Sequence, residues 1–201
     1  MINKSLSSLT QTIIRIDDIS VNLDPDRLEK FLALVRATHQ DLTILLAVSP
    51  AVFDMPKRDT GNGAIAERVF PSILNAHSDH KVFYKIERIG IPLWLDEIVE
   101  KYDCVLASHG LIHVDHRLLP IDAQEMSIVT SLSLIKSNIF VPPFNKYNKD
   151  TELVCEENKI DLIKWEDGWI HLGYQPFAND GRNYYVHLHD YPGEKLFTIL
   201  E

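Results

Sequence analysis

The strongest constraint on this chain is an alternation. Short β-branched apolar runs are separated by segments whose apolar residues recur every three or four positions. The runs suit buried strands and the segments suit helices with one packed face, so the order predicts an α/β fold. Thr12 to Ile16 reads as a strand ending at Asp17-Asp18. Asp24-Pro25 then reads as a helix cap followed by proline in the first turn, with Leu28, Phe31, Leu32 and Val35 making the core face. Further strands are predicted at Leu42 to Val48, Lys81 to Ile86, Cys104 to Ser108, Ile139 to Val141, Leu162 to Trp165 and Tyr184 to His189. Helices are predicted at Trp94 to Tyr102, Ala123 to Lys136 and Asp150 to Asn158. Pro50 to Asp79, with Pro56, Gly61 and Gly63 around a helical candidate at Ala64 to Leu74, breaks the rhythm and reads as a binding loop or lid.

No internal repeat or linker divides the 201 residues, so residues 1–201 are expected to form one barrel-like or wound domain. Apolar usage of 45% and charged usage of 24% argue against disorder and coiled coil. A net charge of -9 without a basic run disfavours nucleic-acid binding. Cys104 and Cys155 cannot staple a domain of this size and read as needing no oxidising compartment; Cys104 in particular reads as a buried small side chain. No apolar stretch is long enough to span a bilayer, and MINKSLSSLTQ lacks the apolar core of a signal peptide, so a soluble cytoplasmic protein is expected.

Several polar residues fall where α/β barrels gather their active sites. Asp17-Asp18, His109, Pro142-Pro143 and His189 each lie at the C-terminal end of a predicted strand. Taken singly, the Asp pair fits a turn or cap, and His109 with His113 fits a solvated histidine pair. Taken together, two histidines four apart (one helical turn would align them) and one carboxylate make a three-ligand site for a borderline divalent cation. A second carboxylate beside it can act as base and a remote histidine as acid.

These segments, in this order, resemble the polysaccharide deacetylases, the NodB-like carbohydrate esterases of family 4 type. Ile16-Asp17-Asp18 is similar to their first motif, His109-Gly110-Leu111-Ile112-His113 to their metal-binding H-x-x-x-H segment, and Phe140-Val141-Pro142-Pro143-Phe144-Asn145 to their proline-rich motif. The continuation Lys146 to Thr151 is close to a subgroup of these proteins, and Leu188-His189-Asp190 resembles the closing motif.

The resemblance implies a deformed (β/α) barrel of about seven strands and a metal-dependent hydrolase that removes an N-acyl group, chiefly acetyl, from an amino sugar or glycoconjugate. It implies Asp18, His109 and His113 as metal ligands and Asp17 as base. It implies His189 as acid, with a backbone N–H near Phe144 at the oxyanion. Pro142, Pro143, Phe144 and Asn145 would wall the substrate site. Zinc is the expected ion, with cobalt, nickel or manganese as alternatives.

Some positions depart from the pattern. Val141 stands where the family often has an arginine that orients the catalytic Asp, and Arg15 is the candidate substitute. Gly110 replaces a small hydroxyl residue. The usual Asp/Trp motif has Asp161, Trp165, Asp167 and Trp169 as candidates. His187 shares a strand face with His189 and is its alternative, while Asp115 and His116 either line the site or sit on an exposed loop. Two rival readings remain: a catalytically silent carbohydrate-binding protein, and a deacylase of a non-sugar amide.

Overall fold

The computed structural model describes residues 12–54, 85–172, 177, 178 and 180–188. In chain order the described strands are β1 (Ile13–Ile19), β2 (Thr43–Val48), β3 (Ala51–Asp54), β4 (Lys85–Ile89), β5 (Cys104–Ser108), β6 (Ile139–Phe140), β7 (Asp161–Leu162), β8 (Trp169–His171) and β9 (Asn183–His187). The helices are α1 (Pro25–Thr38), α2 (Leu95–Tyr102), α3 (Ile121–Ile135) and α4 (Lys149–Glu157).

Seven strands form one parallel ladder in the order β7-β6-β5-β2-β1-β9-β8, curled into a deformed (β/α) barrel. The central strand β1 is buried at every position except Asp18, as a parallel strand covered on both faces must be. Its residues alternate. Ile14 and Ile16 pack outward against α1 through Leu28, Phe31, Leu32 and Val35. Ile13 faces the interior with Leu45, Ala47, Ala107, Ile139, Val141, Ile163 and Trp169. Arg15 and Asp17 follow Ile13 on that inner face by the period of two. The ladder ends at β7 and β8, and a groove of about 820 Å3 opens near Ile13, Asp161, Lys164, Trp169 and Asn183.

Local chemistry sets the helix starts. Asp24 accepts the N–H of Asp26 at 3.1 Å ahead of Pro25. Asn148 accepts the N–H of Thr151 at 3.0 Å, while the Thr151 hydroxyl accepts that of Asn148. Both cysteines are buried, which pushes their thiols up to about 12 and leaves them inert as nucleophiles.

Some expectations need correction. The sequence signals neither β3 nor β8, because each is short and lacks a distinguishing apolar alternation. β3 pairs antiparallel with β4, whose described residues run from Lys85 to Ile89, past the Ile86 end predicted for that strand; Lys81 to Tyr84 lie outside the described residues. The helical candidate at Ala64 to Leu74 lies outside the described residues. The strand predicted through Trp165 stops at Leu162, and Trp165–Asp167 is a short 3-10 turn in which the Asp167 carboxylate accepts the Lys164 N–H. No described helix is long and apolar enough to cross a membrane.

The α1 face packs against the outer side of the ladder, and Leu32 within it is fully buried. Leu32→Ala should therefore cost about 2–5 kcal/mol through lost burial and an unfilled cavity. Urea denaturation measures this, and a loss below about 1 kcal/mol would show that the α1 contact contributes little.

Candidate active site

A bulge makes two consecutive carboxylates usable together. Between Ile16 and Ile19 the pairing of β1 with β2 slips by one residue, and Asp18 takes a left-handed backbone with φ 62°. In a regular strand Asp17 and Asp18 would face opposite sides. Here His187 Nε2 lies 3.8 Å from an Asp17 oxygen and 4.0 Å from an Asp18 oxygen.

Asp18, His109 and His113 gather around one point, each offering a donor atom within 4.8 Å of the others. His113 Nε2 is 3.1 Å and His109 Nε2 is 3.5 Å from Asp18 Oδ1. His109 follows the end of β5, where its N–H continues the ladder to Val48 O. Its Nδ1 donates to Val141 O at 2.8 Å, which leaves the lone pair on Nε2. That Nε2 is buried without a hydrogen-bond partner among the described residues. An orphaned imidazole lone pair facing a carboxylate and a second imidazole is a donor set that fits a divalent cation. Burial lowers the His109 pKa and, with repulsion from His109, pushes His113 down to about 4, so both rings are neutral at pH 7. The two histidines are not on a helix. A turn through Gly110, φ 78°, brings their ring centroids to 4.9 Å.

Asp17 lies deeper and is held differently. The buried Arg15 guanidinium donates from Nη2 to Asp17 Oδ2 at 2.8 Å, and its Nε forms an ion-pair contact with Oδ1 at 2.8 Å that lacks hydrogen-bond geometry. Nη2 also donates to Asn145 Oδ1 at 2.6 Å. Below, the guanidinium carbon sits 4.5 Å from the Trp169 ring centroid and 5.1 Å from that of Tyr185. Burial alone would raise the Asp17 pKa, but Arg15 and then His109 outweigh it and hold the carboxyl below its ordinary range.

The proline segment forms one wall. Pro142 and Pro143 are buried, whereas Phe144 is exposed and meets the His113 ring edge-on at 4.5 Å. Phe144 and Asn145 both have positive φ, which turns the chain so that Asn145 reaches Arg15. Of the other sequence candidates, Trp169 lies under Arg15, Trp165 packs edge-on to Tyr185, and Asp115 pairs with Arg117. His116 is fully buried and does not line the site. His189 and Asp190 lie outside the described residues. Sequence reasoning passed over Tyr185 and His171, whose rings flank His187 at 5.7 and 5.8 Å. The available signal for Tyr185 was its spacing of two from His187 on one strand.

No family model matches the sequence, and no curated protein matches it. Solved structures do. A carbohydrate esterase family 4 pseudoenzyme from Bacillus anthracis is similar with a TM-score of 0.54 at 10% identity, over 94% of this chain and 58% of its own. A family 4 carbohydrate esterase from Streptomyces lividans in complex with acetate gives 0.51 at 13%, over 94% and 84%. A second such esterase from Bacillus anthracis gives 0.50 at 8%, over 94% and 72%. The chain thus spans little more than half the length of the pseudoenzyme chain. At these identities the likeness establishes the fold, that of the family 4 carbohydrate esterases.

The three lowered histidines link stability to pH. His109, His113 and His116 each bind a proton more readily when unfolded, His113 and His116 having shifted from 6.5 to about 4. The unfolded chain therefore holds more protons between those values, and stability falls as pH drops through that window. The metal-free protein should melt at a clearly lower temperature at pH 5 than at pH 7. Equal midpoints would show that these rings are not held neutral.

Proposed function

We propose that this chain is a metal-dependent hydrolase that removes an N-acyl group, N-acetyl above all, from an amino sugar or glycoconjugate. One observation carries the reading: a two-histidine, one-carboxylate donor cluster has a second, charged carboxylate beside it. Asp18, His109 and His113 would hold the ion. A divalent cation bound there supplies Lewis acidity and an acidified water, with zinc the proposed ion and cobalt, nickel or manganese its rivals.

The chain's own residues do the rest. Asp17, fixed by Arg15, accepts the proton of the attacking water. A backbone N–H near Phe144 stabilises the oxyanion. Pro142, Pro143, Phe144 and Asn145 wall the substrate. An amine leaves poorly until protonated, so a donor is needed, and we assign it to the end of β9. Two histidines two residues apart are its candidates: His187, which lies beside Asp17, and His189, in the motif Leu188-His189-Asp190. The sugar N-acyl substrate class rests on the fold and the motif resemblance, and we take residues 1–201 as one catalytic domain.

Purified protein should hold about one divalent ion per chain, and His113→Ala should lose most of it by elemental analysis. Asp17→Asn should keep the ion yet lower turnover of N-acetylated sugars by about 10²-fold or more. Bound ion without turnover in wild type would identify a silent binder, and equal ion content in wild type and His113→Ala would overturn the ligand assignment.

The donor is tested with an amide and an activated ester side by side, since the ester's leaving group hardly needs a proton. Alanine at the true donor should reduce amide turnover far more than ester turnover and remove the alkaline limb of kcat. Whichever of His187→Ala and His189→Ala does so identifies it, and equal losses on both substrates in both variants place the donor elsewhere.

A further inference from the structure

The turn that carries His113 is fastened to α3 by another histidine, and we propose that His116 is the positioning residue of the H-x-x-x-H turn, setting its backbone before a cation arrives. This rests on the reading of His109 and His113 as ligands.

His116 is fully buried, and both ring nitrogens are engaged. Its Nδ1 lies 3.0 Å from Val114 O, a carbonyl that can only accept, so Nδ1–H donates. In the neutral ring Nε2 must then accept, and the Ser127 hydroxyl 3.1 Å away is its donor. The Ser127 oxygen in turn accepts the Leu111 N–H at 3.2 Å, and Ser127 O takes the same N–H at 3.2 Å. Leu111 and Val114 bracket Ile112 and His113. One imidazole and one hydroxyl on α3 thus tie both ends of the ligand-bearing turn. Burial lowers the His116 pKa to about 4, which keeps the ring in the neutral form this relay requires.

Gly110 gives the second, independent observation. A Cβ there would meet His116 Cε1 at 2.7 Å and Ile112 O at 2.9 Å, on a backbone with φ 78°. The ring occupies the space that any side chain at position 110 would need. Phe140 also packs against the His116 ring, edge-on at 5.2 Å. The turn's left-handed residue and the buried imidazole therefore form one packed unit. Partners that orient metal ligands from behind commonly change metal affinity by about 10–100-fold when removed.

The test uses the full chain with Zn2+ and Co2+. The readouts are the dissociation constant by chelator competition, the Co2+ visible spectrum, and the thermal midpoint. His116→Ala should weaken binding by about tenfold or more and alter the Co2+ bands, with Ser127→Ala moving both the same way by less. Gly110→Ala should weaken binding in both backgrounds, and less in His116→Ala, where the contact with the ring is removed while the contact with Ile112 O and the positive φ remain. A lowered midpoint with unchanged affinity and spectrum in the folded variants would reduce His116 to a core residue and overturn the proposal. If His116→Ala does not fold, Ser127→Ala and His116→Gln decide by the same criteria. If wild type takes up neither ion, the ligand reading fails, and hydrogen exchange of the Leu111 amide decides in the metal-free protein. Faster exchange in Ser127→Ala, with central α3 amides unchanged, upholds the tie; unchanged exchange at Leu111 overturns it.

Discussion

A guanidinium and a carboxylate sealed inside a barrel are tolerated only as a pair, and the Arg15–Asp17 contact organises what surrounds it. Removing either ion from water costs several kcal/mol, recovered only through close geometry and further hydrogen bonds. The structure supplies both: an Nη2–Oδ2 hydrogen bond and an Nε–Oδ1 ion-pair contact, each at 2.8 Å, an amide oxygen from Asn145, and aromatic rings of Trp169 and Tyr185 against the cation. Asn145 comes from the proline segment, Trp169 from β8 and Tyr185 from β9, so the pair on β1 ties these segments to one another.

This pairing separates two neighbouring carboxylates into different electrostatic roles. Asp17 faces a permanent cation and is anchored below the surface. Asp18, turned out by the bulge, faces two neutral imidazoles instead. Neutral rings are the ligand form of histidine, and burial keeps His109 and His113 in it near pH 7. A cation placed among Asp18, His109 and His113 would meet one negative charge from its ligands, with the Asp17 charge already committed to Arg15. That division lets one residue hold an ion while its neighbour handles a proton.

The outer architecture was legible because its signals are local. The period of α1, its Asp24-Pro25 start and the β-branched runs of β1 and β2 each fix their own geometry. The gathering of Asp17, Asp18 and His109 was legible from their positions at strand ends, and that of His113 from its spacing of four from His109. What escaped depends on contacts across the barrel. β8 has three residues and no alternation to reveal it. Arg15 is two residues from Asp17 and shares its face, yet only the packing of Trp169, Tyr185 and Asn145 shows that it is buried against that carboxylate. The Asp18 bulge has no glycine to announce it. His116 read as either a site-lining or an exposed loop residue because nothing in the sequence says that α3 packs over the turn and buries it.

The two departures from the deacetylase pattern have a common physical form. Val141 is apolar where an arginine is often found, and the guanidinium that reaches Asp17 comes from Arg15 on β1. Val141 still serves the site through its carbonyl, which fixes the His109 tautomer at 2.8 Å. Gly110 has no hydroxyl, and the turn is held instead by His116 and Ser127, whose ring fills the space a side chain would take. In both cases the required group arrives from another element while the backbone position keeps a steric or hydrogen-bonding role. A site is defined by which charges and donors converge, and the chain can deliver them from more than one place. At 8–13% identity to the solved structures it resembles, convergence of these groups is a better guide to this chain's chemistry than residue-for-residue matching of motifs.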